Sequence, residues 1–139
     1  MQNGADIQAV FSRLSRAASK IEEYCKFAQD EHLGYITSCP TNLGTALRAS
    51  VHIKLPKLSK NKAQFQEIAD KYYVQIRGAH GEHTETDDGV FDISNRRRLD
   101  RSEKQLVQDM IVGVHALMDA ENALWALDFV DHHKYTELW

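Results

Sequence analysis

Two prolines, two cysteines and a net charge of only -3 set the first limits on this 139-residue chain. Cys25 and Cys39 supply neither a disulfide framework nor the paired spacing of a zinc motif, so a reducing cytoplasm is the expected setting. There is no basic excess, which argues against a general nucleic-acid binder. The one basic cluster, Arg96-Arg97-Arg98 with Arg101, sits beside Asp100 and Glu103 and reads as a solvated face. No apolar run approaches the ~20 residues of a membrane span, so no membrane partner is expected. Met1 to Asp6 lacks a basic region followed by an apolar stretch and predicts no signal peptide. Internal repeats, low-complexity tracts and Pro/Gly-rich linkers are also absent. What is left, 42% hydrophobic and 27% charged residues, describes one ordinary globular domain with room for a core.

Periodicity orders that domain. Ile7, Val10, Phe11, Leu14, Ala18 and Ile21 recur at helical spacing and predict a first helix with one apolar face; Cys25 falls late in it and reads as structural. Leu33 to Thr37 reads as a short strand, ended by the loop that Pro40 and Gly44 impose. The clearest strand is 47 to 55. Leu47, Ala49, Val51, Ile53 and Leu55 alternate with Arg48, Ser50, His52 and Lys54, which places the two sets on opposite faces of a sheet. Ser59 is positioned to cap a helix over 60 to 71, with Phe65, Ile68, Ala69 and Tyr72 inward. Tyr73 to Arg77 and Val90 to Asn95 read as two more strands, joined by a glycine-containing loop over 78 to 89. Ser102 and Gln105 have capping-box spacing and open a last long helix with Leu106, Val107, Met110, Ile111, Val114, Leu117 and Met118 as its stripe. The tail, with Trp125, Phe129, Tyr135 and Trp139, is too aromatic for a solvated segment and is expected to pack on the body or on a partner. The fold class is therefore α+β, a largely antiparallel sheet flanked by helices. Four strands leave open edges, so a sheet wider than this chain supplies is expected.

Several residues carry chemistry. Arg48, Ser50 and His52 share the polar face of one strand, an arrangement suited to a nucleotide phosphate and base, although such residues also line solvent-facing sheets. Arg77 ends a strand before the glycine-containing loop, where an arginine can swing onto a phosphate; alone it reads as a surface arginine. Glu82, in that loop, offers a carboxylate that can pair with a guanidinium, orient its nitrogen or accept its proton; alone it reads as a solvated glutamate. His80 and His83 lack a third ligand at metal-binding spacing, so no zinc site is expected. Cys39 precedes Pro40, where Thr and Ser hydroxyls and backbone N–H groups can favour a thiolate; a buried, inert cysteine is the competing reading.

Taken together, these residues resemble the guanidino or phosphagen kinases, the arginine kinases most closely. Four blocks occur in order: Cys39-Pro40-Thr41-Asn42-Leu43-Gly44-Thr45, Arg48-Ala49-Ser50-Val51-His52-Ile53, Arg77-Gly78, and Gly81-Glu82-His83-Thr84-Glu85. A fifth, Gly89-Val90-Phe91-Asp92-Ile93-Ser94-Asn95, runs on into Arg96-Arg97-Arg98-Leu99. The resemblance covers about Val10 to Ala120 and implies the C-terminal part of a catalytic domain that transfers the γ-phosphate of ATP reversibly to a guanidino nitrogen. It implies nucleotide-phosphate binding by Arg48 and Arg77, an adenosine site near Ser50, His52 and Asp92, a reactive thiolate at Cys39 tuned by Thr41, and a substrate-positioning carboxylate at Glu82. The cofactor it implies is ATP/ADP with Mg2+ held through the nucleotide, and the substrate L-arginine or a related guanidino compound. Thr41 and the Glu82 loop favour arginine kinase over creatine kinase, with taurocyamine kinases remaining open. Ala79 stands where threonine is usual in the family and Asp100 where glycine is usual. The resemblance also implies an N-terminal helical domain, further arginines and a second carboxylate that these 139 residues do not contain. A second reading follows from that: a non-catalytic module that associates with a complementing chain or with itself.

Overall fold

The computed structural model describes residues 3, 4, 6–78 and 89–136, with side chains described through residue 127. In chain order the elements are α1 (Ile7–Glu22), β1 (Gln29–Asp30), β2 (Gly34–Tyr35), β3 (Ser50–Lys54), α2 (Lys62–Lys71), β4 (Val74–Gly78), β5 (Val90–Asn95) and α3 (Glu103–Thr136). The main sheet is antiparallel, with β5 between β3 and β4. Its register lines up His52, Asp92 and Arg77 in one row and Ser50, Ser94 and Gln75 in the next. The expected α+β class holds.

The core lies between the sheet and the pair α2 and α3. Leu55, Leu58, Phe65, Ala69, Val74, Ile93, Met110, Val114 and Leu117 form one buried cluster. Phe65 and Phe91 meet edge to face at 5.0 Å, joining α2 to β5. The predicted stripe of α3 is right except at its end, where Met118 is exposed. Gly113 was not anticipated. A Cβ there would stand 2.6 Å from Cγ1 of the stiff, buried Val74, so the missing side chain is what lets α3 lie against β4.

Four expectations need correction. The strand at 33 to 37 is only Gly34–Tyr35, and it pairs with Gln29–Asp30 in a separate two-stranded ladder, so among the described residues the main sheet has three strands. The carboxylate of Asp30 accepts the N–H groups of His32 (2.8 Å) and Leu33 (3.0 Å) and shapes the turn between the two. The strand at 47 to 55 alternates as expected, but its ladder spans only Ser50–Lys54, because Leu47 and Ala49 bond to the side chain of Asn95 instead. Asn61, not Ser59, caps α2: its Oδ1 accepts the N–H of Gln64, while the Ser59 hydroxyl donates to the Pro56 carbonyl at 2.9 Å inside a 3-10 turn. Cys25 lies beyond the end of α1 and is exposed.

The two terminal helices behave oppositely. α1 is capped by Asp6, which accepts the N–H of Ala9 at 2.9 Å, yet it has no buried residue; among the described residues, Ile7 is its one packing contact with the core. Val10, Phe11, Leu14 and Ile21 are 37% to 54% exposed. α3 opens with the expected capping box, Gln105 N–H to Ser102 Oγ at 3.3 Å and Ser102 N–H to Gln105 Oε1 at 3.0 Å. Farther along, its buried Glu121 accepts the N–H groups of Lys57 (3.0 Å) and Leu58 (2.7 Å) and the indole N–H of Trp125 (2.9 Å). Trp125 itself is 51% exposed, with the Lys57 ammonium 4.5 Å from its ring centroid, so it is only partly covered by the body against which the tail was expected to pack. The side chains of Phe129 and Tyr135, and Trp139 altogether, lie outside the described residues.

Substituting Gly113→Val should destabilise the chain by about 1–3 kcal/mol, the usual cost of overfilling a packed site. A lower urea midpoint with an unchanged slope is the expected result.

Candidate nucleotide and thiol site

The polar face of the sheet brings together residues far apart in sequence. Asp92, central on β5, pairs through Oδ2 with Arg48 Nη2 at 2.5 Å, and its Oδ1 stands 3.8 Å from His52 Nε2. Arg77 is directly across the β4–β5 ladder from Asp92, and its Nη2 donates to Gln75 Oε1 at 3.3 Å. Asp92 therefore pairs with one guanidinium, stands near an imidazole and shares its row with Arg77.

Arg98 joins this group and corrects the reading of residues 96 to 98 as one solvated face. The three consecutive arginines do three different things. Arg96 is exposed and pairs with Asp70 at 2.7 Å. The Arg97 guanidinium stacks on the ring of Tyr73, 3.3 Å from its centroid, and covers a tyrosine held at φ 54. Arg98 is 7% exposed and turned inward. Its Nη1 donates to the Arg96 carbonyl at 2.9 Å, and burial together with repulsion from Arg48 and Arg77 lowers its pKa. The sequence signal that separates Arg98 from its neighbours is absent from charge spacing; it lies in the irregular backbone after β5.

Cys39 lies on the other side of Arg98. It precedes a 3-10 turn, Pro40–Asn42, and is exposed rather than buried. Its Sγ is 3.0 Å from Thr41 Oγ1. The Thr41 hydroxyl and backbone N–H stabilise the thiolate, with a further contribution from the Arg98 charge, and these lower the Cys39 pKa below the ordinary thiol value. The backbone beneath is tightly fitted. Gly44 has φ 105, and a Cβ on it would lie 2.2 Å from the Arg98 carbonyl oxygen. A Cβ on Gly34 would lie 2.5 Å from the Gly44 oxygen. Thr45 N–H donates to the Arg98 carbonyl at 3.0 Å and Tyr35 N–H to the Gly44 carbonyl at 2.7 Å. An open recess of about 310 Å3 lies between this loop and the Arg97–Asp100 connection, with Thr41, Leu43, Arg98 and Asp100 in its wall.

Of the residues singled out from sequence, Arg48, Ser50, His52, Arg77 and Asp92 share one sheet face, while Cys39 and Thr41 meet each other beside Arg98. Glu82, His80 and His83 lie outside the described residues. Asp92 Oδ1, Ser94 Oγ and Arg98 Nε are buried with no hydrogen-bond partner among the described residues. Three guanidinium groups close enough to repel one another, one of them paired with Asp92 and one with an N–H that has no hydrogen-bond partner among the described residues, are chemically fitted to a polyphosphate. Among the described residues no three His, Cys, Asp or Glu side chains converge.

This chain belongs to the ATP:guanido phosphotransferases, whose C-terminal catalytic domain model matches residues 1–124. Among its relatives, arginine kinase 1 of Drosophila melanogaster is 49% identical over 124 residues, 89% of this chain and 35% of that protein. An arginine kinase of Anthopleura japonica is 54% identical over 124 residues, covering 87% of this chain and 17% of that protein. Among solved structures, the duplicated taurocyamine kinase of Schistosoma mansoni with bound transition-state-analogue components superposes with a TM-score of 0.84 at 46% identity, covering 88% of this chain and 17% of that one. A lombricine kinase superposes with a TM-score of 0.81 at 45% identity, covering 90% of this chain and 35% of that one. The chain spans about a third or less of the length of the curated relatives it matches.

Iodoacetamide should alkylate Cys39 faster than Cys25, because the Thr41 hydroxyl and backbone N–H stabilise the Cys39 thiolate. Removing the Thr41 hydroxyl raises the Cys39 pKa. In Thr41→Val the midpoint of the alkylation-rate profile should therefore move to higher pH, and at neutral pH the rate should fall. Peptide mass spectrometry of alkylation time courses between pH 6 and 10 measures both effects.

Proposed function

We propose that this chain is the C-terminal portion of an arginine kinase-type catalytic domain, transferring the γ-phosphate of ATP reversibly to the guanidino nitrogen of L-arginine when the rest of the domain is present. The observation that carries the reading is the cluster of Arg48, Arg77 and Arg98, close enough for the first two to repel the third, with Arg48 paired to Asp92. Arg48, Arg77 and Arg98 grip the phosphates. Ser50, His52 and Asp92 face the adenosine side. Mg2+ carried on the phosphates supplies neutralisation of their charge. Cys39, held as a thiolate by Thr41, provides negative charge that orients a guanidinium, and Glu82 is the carboxylate proposed to fix its nitrogen for attack. Transfer is direct, so positioning and electrostatics supply the catalysis. L-arginine is favoured by the arginine kinases among the relatives; taurocyamine and lombricine are the competing acceptors. The proposed setting is the cytoplasm.

Calorimetric titration tests this directly. The chain should bind MgATP, and Arg98→Gln and Arg48→Gln should each weaken that binding about tenfold, the value of one charge-assisted contact. A chain that binds MgATP no better than adenosine would sink the reading. A coupled ADP-release assay with L-arginine, taurocyamine or lombricine then ranks the acceptors.

A second reading, that the chain is an interaction module, is favoured by α1. Its apolar face of Val10, Phe11, Leu14 and Ile21 is 37% to 54% exposed, along a helix that among the described residues touches the core at Ile7. A helix of this length is marginal in water without packing. Light scattering after size exclusion should show association of the chain with itself or with a co-purified complementing chain, abolished by Phe11→Asp with Leu14→Asp; a well-folded monomer refutes this reading.

A further inference from the structure

We propose that Asn95 is a positioning residue that sets Arg48 and Arg98 relative to one another. The inference rests on the reading of that arginine cluster as a phosphate grip. Asn95 closes β5 and is 1% exposed. Its Oδ1 accepts the N–H of Ala49 at 2.8 Å. Its Nδ2 donates to the carbonyls of Leu47 at 3.1 Å and Arg97 at 2.7 Å.

The identity of those three backbone groups carries the argument. The Leu47 carbonyl belongs to the peptide unit entering Arg48, and the Ala49 N–H to the unit leaving it. The Arg97 carbonyl belongs to the unit entering Arg98. One planar amide therefore grips the backbone on both sides of the first arginine and directly before the second. Leu47 to Ala49 lies outside the β3–β5 ladder, so ladder hydrogen bonds do not hold Arg48. The neighbouring backbone bond, Asn95 N–H to the Ala49 carbonyl, is long at 3.3 Å. The two guanidinium groups repel each other, and the side chain of Asn95 holds their backbones against that repulsion.

Asparagine suits this task. It offers one acceptor and two donors in a rigid plane, and all three are used here. Aspartate keeps the shape and the acceptor but would set a carboxylate against two carbonyls. Leucine keeps approximate volume and loses all three bonds. No hydrogen bond joins Asn95 to either guanidinium, so its influence passes through the main chain.

The test uses the 139-residue chain, with inorganic tripolyphosphate and MgADP as calorimetric probes. Asn95→Asp and Asn95→Leu are compared with wild type and placed in an Arg48→Gln/Arg98→Gln background; urea midpoints identify any variant that fails to fold. Each Asn95 variant should weaken tripolyphosphate binding about tenfold or more, as for loss of buried, satisfied hydrogen bonds. In the double-glutamine background the same substitution should cost nothing further, because its effect passes through the two arginines. A purely structural role would lower stability equally in both backgrounds without this coupling. In 15N spectra the Nε–H signals of Arg48 and Arg98 should shift together on Asn95→Asp while that of Arg13 stays in place. Wild-type-like binding by a folded variant, or an equal loss in the double-glutamine background, overturns the proposal. A wild-type chain that fails to bind tripolyphosphate instead overturns the phosphate reading itself. The arginine signals then decide the positioning claim, a joint shift supporting it and unchanged signals refuting it.

Discussion

The site depends on three passes of backbone that lie too close for any side chain to fit between them. Gly34 rests on Gly44, and Gly44 on Arg98. At Gly44 the chain also adopts a positive φ, which side-chain-bearing residues adopt at a cost. This stacking brings the turn that carries Cys39 and Thr41 against the connection that carries Arg98. Hydrogen bonds from Tyr35 to the Gly44 carbonyl and from Thr45 to the Arg98 carbonyl fix the three passes in register. The relation between thiolate and arginine is thus set by main chain against main chain, which deforms less readily than long side chains do.

Around that frame, charge is distributed against its own preference. Three guanidinium groups lie close together and partly buried, and the pKa of Arg98 is lowered first by burial and then by repulsion from Arg48 and Arg77. Such an arrangement stores repulsion that only a stable scaffold can hold. The scaffold is the cluster around Ile93, Val74, Met110 and Leu117 on the opposite side of the sheet. Strand alternation makes the division possible: along β5, Phe91 and Ile93 face the core while Asp92 and Ser94 face the site.

Much of this was legible from sequence, and the remainder was hidden for identifiable reasons. The period-2 pattern around Val51 and Ile53, the helical stripe of Leu106, Met110, Val114 and Leu117, and the capping box at Ser102 all rest on local rules, and all hold in the structure. Hydroxyls near Cys39 were visible because they lie close to it in the chain; that Thr41 is the partner was implied by the family resemblance and agrees with the 3.0 Å contact. Asn95 was not, because its bonds reach back 46 and 48 residues. Glu121 was hidden in the same way, capping a turn 63 residues earlier. Arg98 was obscured by two arginines that resemble it in composition and differ from it in burial. Side chains that bond to distant main chain leave no periodic trace.

α1 has a separate consequence. Among the described residues its purchase on the core is Ile7, so little of the free energy that protects the central sheet reaches the middle of the helix. Its amide hydrogens should therefore exchange with solvent through local fraying, well before those of β5 and α3, which exchange through larger openings. By the measure of exchange protection, this one chain contains two materials: a slow-opening block of sheet and long helix, and a fast-opening helical arm attached to it.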